Sequence, residues 1–145
     1  MFILTYIFLS GCNVEPMSGT YTSTMSNPSD TCNAETSILE EVSESQEIEI
    51  TVNETSINFD DIYTLARDGS TASLEEVFDE QTEPGMYTLT QMLVIEFEWI
   101  TADTAEGSMG FDFSCTGEAC DDVTAETGVT LPCEARYSVL LEMVE

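Results

Sequence analysis

The residues that could perform covalent chemistry in this chain are its five cysteines and its many carboxylates, because the sequence has no histidine and no lysine. A thiol or hydroxyl nucleophile needs an adjacent base such as His or Lys to become reactive, so no Ser–His, Cys–His or Ser–Lys dyad can form. The sequence also has no phosphate-binding glycine loop and no EF-hand pattern. We therefore predict no catalytic residue, no enzyme and no cofactor.

Two patterns of carboxylates come nearest to a site. Glu96 and Glu98 share one face of a predicted strand and lie roughly 7 Å apart, a spacing found in inverting glycosidases. The simpler interpretation is that both are solvated on the polar side of that strand. The acidic segment from Glu118 to Asp122 could bind calcium only weakly and non-specifically. We predict no metal site, and a carboxylate-dependent hydrolase ranks last among the functional alternatives.

Four cysteines other than Cys12 form an even set, namely Cys32, Cys115, Cys120 and Cys133. The C-x4-C spacing and the lack of histidine disfavour zinc. Two disulfides are typical of an oxidising compartment, although sequence alone allows three pairings. If the first and last strands are antiparallel neighbours, the end of the first lies beside the start of the last. That topology predicts a Cys32–Cys133 disulfide and leaves Cys115 to pair with Cys120.

The charge balance is extreme, with 29 acidic side chains against two arginines and a formal net charge of −27. Nucleic acid is excluded as a partner, because its binding depends on basic side chains that neutralise phosphates. Anionic lipid headgroups would repel the domain, whereas a cationic envelope partner would be attracted. Self-repulsion at this charge density is relieved by salt. The acidity therefore indicates either a saline habitat or an acidic envelope protein of no special environment, and both alternatives stay open.

Apolar and polar residues alternate with a period of two along most of the chain, which is typical of half-buried strands. The strongest segment runs from Met86 to Ile100, and its length predicts two strands or one strand bent at a bulge. Capping-box spacings predict one or two short helices or loops, at Ser37 to Glu40 and at Ser73 to Glu76. About seven or eight strands joined by turns predict an all-β domain over residues 19–145, a single antiparallel β-barrel or a β-sandwich.

The N-terminal segment resembles the signal region of bacterial lipoproteins. An apolar run from Met1 to Leu9 without charged side chains leads into Leu9-Ser10-Gly11-Cys12, which resembles a lipobox. The resemblance implies that residues 1–11 are a signal peptide, that Cys12 is lipidated, and that residues 12–18 form a short tether. Asn13 would be the second mature residue, and by the enterobacterial sorting pattern this implies a location at the outer membrane of the cell envelope, on its periplasmic or its surface face. The expected membrane contact is made by acyl chains on Cys12.

A second resemblance, to the lipocalin-like (calycin) barrels, rests on Gly19-Thr20-Tyr21 and on Arg136. Calycins open with Gly-x-Trp on the first strand, and a basic residue near the last strand packs over that Trp. The resemblance implies an eight-stranded barrel in which Tyr21 and Arg136 form a structural pair that closes one end.

Three functional classes follow from these observations. The first is a lipid-anchored, non-enzymatic envelope protein that acts by interaction or as a surface component. The second is a lipocalin-like carrier of a small hydrophobic ligand, with an apolar cavity behind Phe97, Trp99, Phe111 and Phe113. The third is the hydrolase.

Overall fold

The computed structural model describes residues 14–32 and 45–145 and consists mostly of strands. Its elements in chain order are β1 (Gly19–Asp30), β2 (Ser45–Val52), β3 (Ser56–Phe59), β4 (Tyr63–Asp68), β5 (Thr71–Glu83), β6 (Tyr87–Thr101), β7 (Thr104–Thr116), α1 (Cys120–Thr127) and β8 (Cys133–Met143). The predicted helix at Ser37 to Glu40, the predicted signal peptide at residues 1–11 and the predicted lipidation site Cys12 lie outside the described residues. Within the described part of the chain, α1 is far too short to cross a membrane and no other helix could do so.

The eight strands form one closed antiparallel barrel in which each strand pairs with its neighbours in sequence. Closure comes from β1, which pairs with β2 on one side and with β8 on the other, so that Tyr21 lies opposite Met143. The prediction of an all-β antiparallel fold is confirmed, and of its two alternatives the barrel is the correct one.

The barrel forms because period-two alternation places one face of every strand in the interior. On β6 the inward face carries Ile95, Phe97 and Trp99, whereas Glu96 and Glu98 point to solvent. Every strand contributes buried residues to one core. Its members are Tyr21, Ile50, Ile57, Phe59, Leu65, Ala72, Leu93, Ile95, Phe97, Trp99, Ala105, Val139 and Leu141.

Close contact between β7 and β8 depends on a glycine. A Cβ atom on Gly110 would collide with the carbonyl oxygen of Ala135 and would lie 2.6 Å from the Cα atom of Arg136. Since both neighbours are backbone atoms, they cannot move aside without opening the ladder. Gly110 therefore fixes how closely the two strands approach.

Strands β5, β6 and β7 are much longer than β3 and β4 and extend beyond them at one end of the barrel. The segment predicted as two strands or one bent strand is the continuous strand β6. The register shifts at two places: between Val77 and Asp79 of β5, where Phe78 is the extra residue, and between Trp99 and Thr101 of β6, where Ile100 is the extra residue. The phenyl ring of Phe78 then lies 5.2 Å from that of Phe111 on the inward side of β7.

The prediction of a helix or loop at Ser73 to Glu76 is wrong. These residues belong to β5, where Ser73 pairs with Glu96 and Glu76 with Leu93. Twelve of the thirteen residues of β5 pair with β6, and Ala72 is buried in the core, which outweighs the weak local preference of a capping-box spacing. Among the described residues, the helix is α1, which begins at Cys120 instead.

Candidate functional site

The two ends of the barrel differ, and the difference defines the candidate site. We call one end the sealed end; it contains the start of β1, the turns at 53–55, 69–70 and 102–103, and residues 14–18. We call the other the open end; it contains the turns at 60–62 and 84–86 and residues 117–132. The end of β1 and the start of β2 also lie there; residues 33–44 lie outside the described residues.

The floor of the sealed end is built from Trp99 and Tyr21, whose side chains are almost fully buried. The Tyr21 hydroxyl donates hydrogen bonds to the carbonyl oxygens of Met17 at 2.7 Å and Ala102 at 3.3 Å. Burial raises the pKa of the Tyr21 phenol, and its interactions with Trp99 and with the Met17 carbonyl offset this effect only in part. Tyr21 thus ties the first strand, the preceding segment and the β6–β7 turn together in its neutral form.

Residues 14–18 act as a strap across the sealed end. The amide of Met17 donates to the Ala102 carbonyl at 3.0 Å, and the hydroxyl of Ser18 accepts a hydrogen bond from the amide of Val52 at 2.8 Å. Val14 packs against the barrel core, and Pro16 is buried. The segment predicted as a tether therefore contacts the barrel from Val14 onward.

Arg67 holds the strap to the turns of the sealed end. Its guanidinium donates to the carbonyls of Gly69 at 2.9 Å and Asn53 at 3.0 Å and pairs with the carboxylate of Glu15 at 2.6 Å. Only 8% of its side chain is exposed. The basic residue of this end is therefore Arg67, which the sequence analysis did not select, because its partner Glu15 is 52 positions away.

The structure does not bring the predicted pair of Tyr21 and Arg136 together. Tyr21 lies opposite Met143 and points into the barrel, whereas Arg136 lies opposite Ser29 at the far end of the same strand pair. Side chains alternate along β8, and Ala135 and Val139 are buried on its inward face. Arg136 lies on the other face of the strand and points outward. The predicted structural pair of Tyr21 and Arg136 therefore does not form, because the two side chains occupy opposite faces and opposite ends of the sheet.

Arg136 instead lies among three carboxylates on the outer surface. Its guanidinium is 2.8 Å from Asp112 on β7, 3.3 Å from Glu96 on β6 and 3.5 Å from Glu134 on β8. Burial alone would lower the pKa of Arg136, but these carboxylates raise it above its usual value. Glu96, the first carboxylate of the suggested hydrolase pair, is thus engaged in an ion-pair network. Both Glu96 and Glu98 are exposed.

Both disulfides have the predicted pairing. Cys32 bonds Cys133 and joins the end of β1 to the start of β8, while Cys115 bonds Cys120 and joins the end of β7 to the start of α1. All four sulfurs lie toward the open end. The residues described contain no group of three or more His, Cys, Asp or Glu arranged to hold a metal ion.

Among the described residues, two of the more enclosed cavities lie at the open end and are separate from each other. One lies in the bore, has a volume of about 120 Å³ and is lined by apolar side chains that include Phe59, Phe97 and Met109. The other lies between α1 and the extended strands, has a volume of about 240 Å³ and includes Phe113 and Val123 in its lining. Of the four aromatic residues predicted behind one cavity, Phe97 lines the first and Phe113 the second, while Trp99 fills the floor of the bore.

In comparisons with protein-family models, curated proteins and solved structures, nothing matches this chain.

Proposed function

We propose that this protein is a lipid-anchored component of the cell envelope that acts by binding rather than by catalysis. The observation that supports this most strongly is the strap at the sealed end. It follows the predicted lipidation site within two residues, so an acyl chain on Cys12 would hold that end of the barrel near the membrane. Two disulfides are in keeping with an oxidising compartment outside the cytoplasm.

The experiment is membrane fractionation of the full chain expressed in a bacterium that processes lipoproteins. We expect the protein to be found with membranes, to leave them in detergent, and to incorporate a labelled fatty acid. Cys12→Ala should move it to the soluble fraction and abolish the label. The matched control replaces Cys115 and Cys120 with alanine, which removes two other cysteines and leaves the lipobox intact, and it should stay with the membranes.

The proposal would be wrong if Cys12→Ala left the protein with the membranes in the wild-type proportion. It would also be wrong if the wild-type protein were soluble and carried no acyl label. Loss of membrane association in the disulfide control would point to a folding effect and would contradict an anchor that depends on Cys12 alone.

A second candidate function, binding of a small apolar ligand, is favoured by the 240 Å³ cavity beside α1. At roughly 30 Å³ per water-sized atom, the 120 Å³ cavity of the bore has room for about four non-hydrogen atoms. Ligand pockets usually measure about 300–1,000 Å³, so the bore is too full for a carrier of the lipocalin type. The cavity beside α1, at about 240 Å³, also lies below that range, but it has twice the room of the bore and suits a smaller ligand. Native mass spectrometry of the purified protein tests this function, because a co-purifying hydrophobe should appear as an added mass.

A further inference from the structure

The cavity beside α1 has a built frame. The Cys115–Cys120 disulfide fixes the first residue of α1 to β7, and the amide of Ala119 donates to the Met86 carbonyl at 3.1 Å. The helix and the segment after it thereby cover the inward-facing side of the long strands. The cavity of about 240 Å³ lies between Leu89 and Phe113 on the strands and Val123 and Leu131 on the other side.

One charged group borders this apolar space. Among the described residues that line the cavity, Asp79 alone has an ionisable side chain. Its carboxylate accepts a hydrogen bond from the side-chain amide of Gln81 at 3.2 Å, and Gln81 lines the same wall. Asp79 directly follows the bulge of β5, where the register shift sets the direction of its side chain.

The charges of the protein select the sign of a ligand. An anionic hydrophobe such as a fatty acid would need a basic side chain, and the chain has only two, with no lysine or histidine. Arg136 is held by three carboxylates on the outer surface, and Arg67 is held by Glu15 at the sealed end. An ammonium group would instead meet the carboxylate of Asp79.

The volume limits the size of the ligand. If each non-hydrogen atom takes the volume of one water molecule, roughly 30 Å³, the cavity of 240 Å³ has room for about eight such atoms. We propose that this cavity binds a small hydrophobic amine, with the alkyl or aryl body between Phe113 and Val123 and the ammonium group against Asp79. The inference rests on the second proposed function, small-ligand binding, and it adds the site and the chemical class of the ligand.

Calorimetric titration of the full-length protein with hexylammonium, hexanol and hexanoate tests the proposal, because these probes share one alkyl chain and differ in the charge of the head group. We expect hexylammonium to bind about tenfold more tightly than hexanol, as for a charge-assisted hydrogen bond, and hexanoate to bind weakest. The ranking should persist in about 1 M NaCl, where screening over about 3 Å removes diffuse attraction to an anionic protein.

Two variants separate a specific contact from net charge. Asp79→Asn should lower hexylammonium affinity about tenfold and leave hexanol affinity unchanged. Glu106→Gln removes the same formal charge from an exposed outward position on β7 and should change either affinity less than twofold. Val129→Trp, which fills the cavity from the segment after α1, should abolish binding of all three probes.

The outcomes distinguish failure of the amine proposal from failure of small-ligand binding. If hexanol binds, Val129→Trp blocks it, and Asp79→Asn has no effect on hexylammonium, then small-ligand binding stands and the amine proposal is overturned. Equal losses in Asp79→Asn and Glu106→Gln overturn it as well, since the attraction would then be diffuse. If no probe binds, both the amine proposal and small-ligand binding are overturned, while the membrane anchor is tested separately by fractionation.

Discussion

The Arg136 network provides the sharpest test of how this acidic barrel stays folded. Its guanidinium touches carboxylates from three adjacent strands, at 2.8 Å from Asp112, 3.3 Å from Glu96 and 3.5 Å from Glu134. Arg136→Gln keeps a polar side chain of similar length but removes the positive charge. Three carboxylates on neighbouring strands would then repel one another with no cation between them. We expect this variant to unfold more readily than any single exposed Glu→Gln variant.

The expected loss follows from the exposure of the partners. Exposed ion pairs contribute about 0.2–1 kcal/mol each, and the three carboxylates are 41–55% exposed while the arginine is 20% exposed. Three such pairs give a loss of about 2 kcal/mol in the free energy of unfolding. For a domain of this size, that loss lowers the melting temperature by about 8 °C.

The assay is urea unfolding followed by the fluorescence of Trp99, at low and at high NaCl. The Debye length falls from about 30 Å in 0.01 M salt to about 3 Å in 1 M salt, so the loss should shrink to less than about 1 kcal/mol at high salt. The wild-type protein should itself gain stability with salt, as the saline-habitat alternative predicts. Arg136→Lys keeps the charge and should recover part of the loss.

This electrostatic explanation would be refuted if Arg136→Gln lost the same free energy of unfolding at both salt concentrations, because packing rather than charge would then account for the loss. It would also be refuted if Glu106→Gln, which removes a charge from an exposed site with no arginine contact, destabilised the protein as strongly. A double-mutant cycle with Asp112→Asn should give a coupling energy of about 1 kcal/mol.

Three further predictions follow from the structure. Removing the Cys32–Cys133 disulfide, whose cysteines are 101 positions apart, should lower the free energy of unfolding by about 4.7 kcal/mol, against about 2 kcal/mol for the Cys115–Cys120 disulfide, whose cysteines are five positions apart; similar losses in urea titrations would contradict the chain-entropy explanation. Burial raises the pKa of Tyr21, so the contribution of its neutral phenol to the stability of the fold is complete below a pH of about 10 and is lost as pH rises through the raised pKa. The melting temperature of the wild-type protein should therefore fall at alkaline pH, and Tyr21→Phe should reduce that fall. Gly110→Ala should cost more than about 3 kcal/mol because its Cβ meets backbone atoms, whereas Gly85→Ala, with open space around it, should cost about 1 kcal/mol.

The strands could be predicted because the alternation of apolar and polar residues that marks them lies within each segment of the sequence. Alternation on β6 and β8 fixes which residues face the core, and closure of the sheet then brings Cys32 beside Cys133. Local sequence was misleading at Ser73, where a capping-box spacing predicted a helix or loop. Pairing with β6 prevails there, and the local sequence does not show that pairing. The helix α1 was missed because it buries only Val123; acidic residues in its first turn and Gly128 after its end were the available signals.

The sealed end could not be predicted for a different reason. Its contacts join residues far apart in sequence, such as Glu15 with Arg67 and Tyr21 with Ala102. A resemblance at four positions selected Arg136 because it is the basic residue nearest to the C-terminus. Only the register of β1 against β8 shows that Arg136 lies at the other end and on the other face.

The strap changes what an anchor at Cys12 would do to the barrel. With a free tether through Met17, the barrel could tumble above the membrane, but the strap packs from Val14 onward. Only Asn13 then separates an acylated Cys12 from the packed chain, a reach of about 7 Å. The sealed end would lie against the bilayer because no slack is left for it to turn away. Both cavities belong to the opposite end, so an amine in the aqueous compartment would reach Asp79 without crossing the lipid surface.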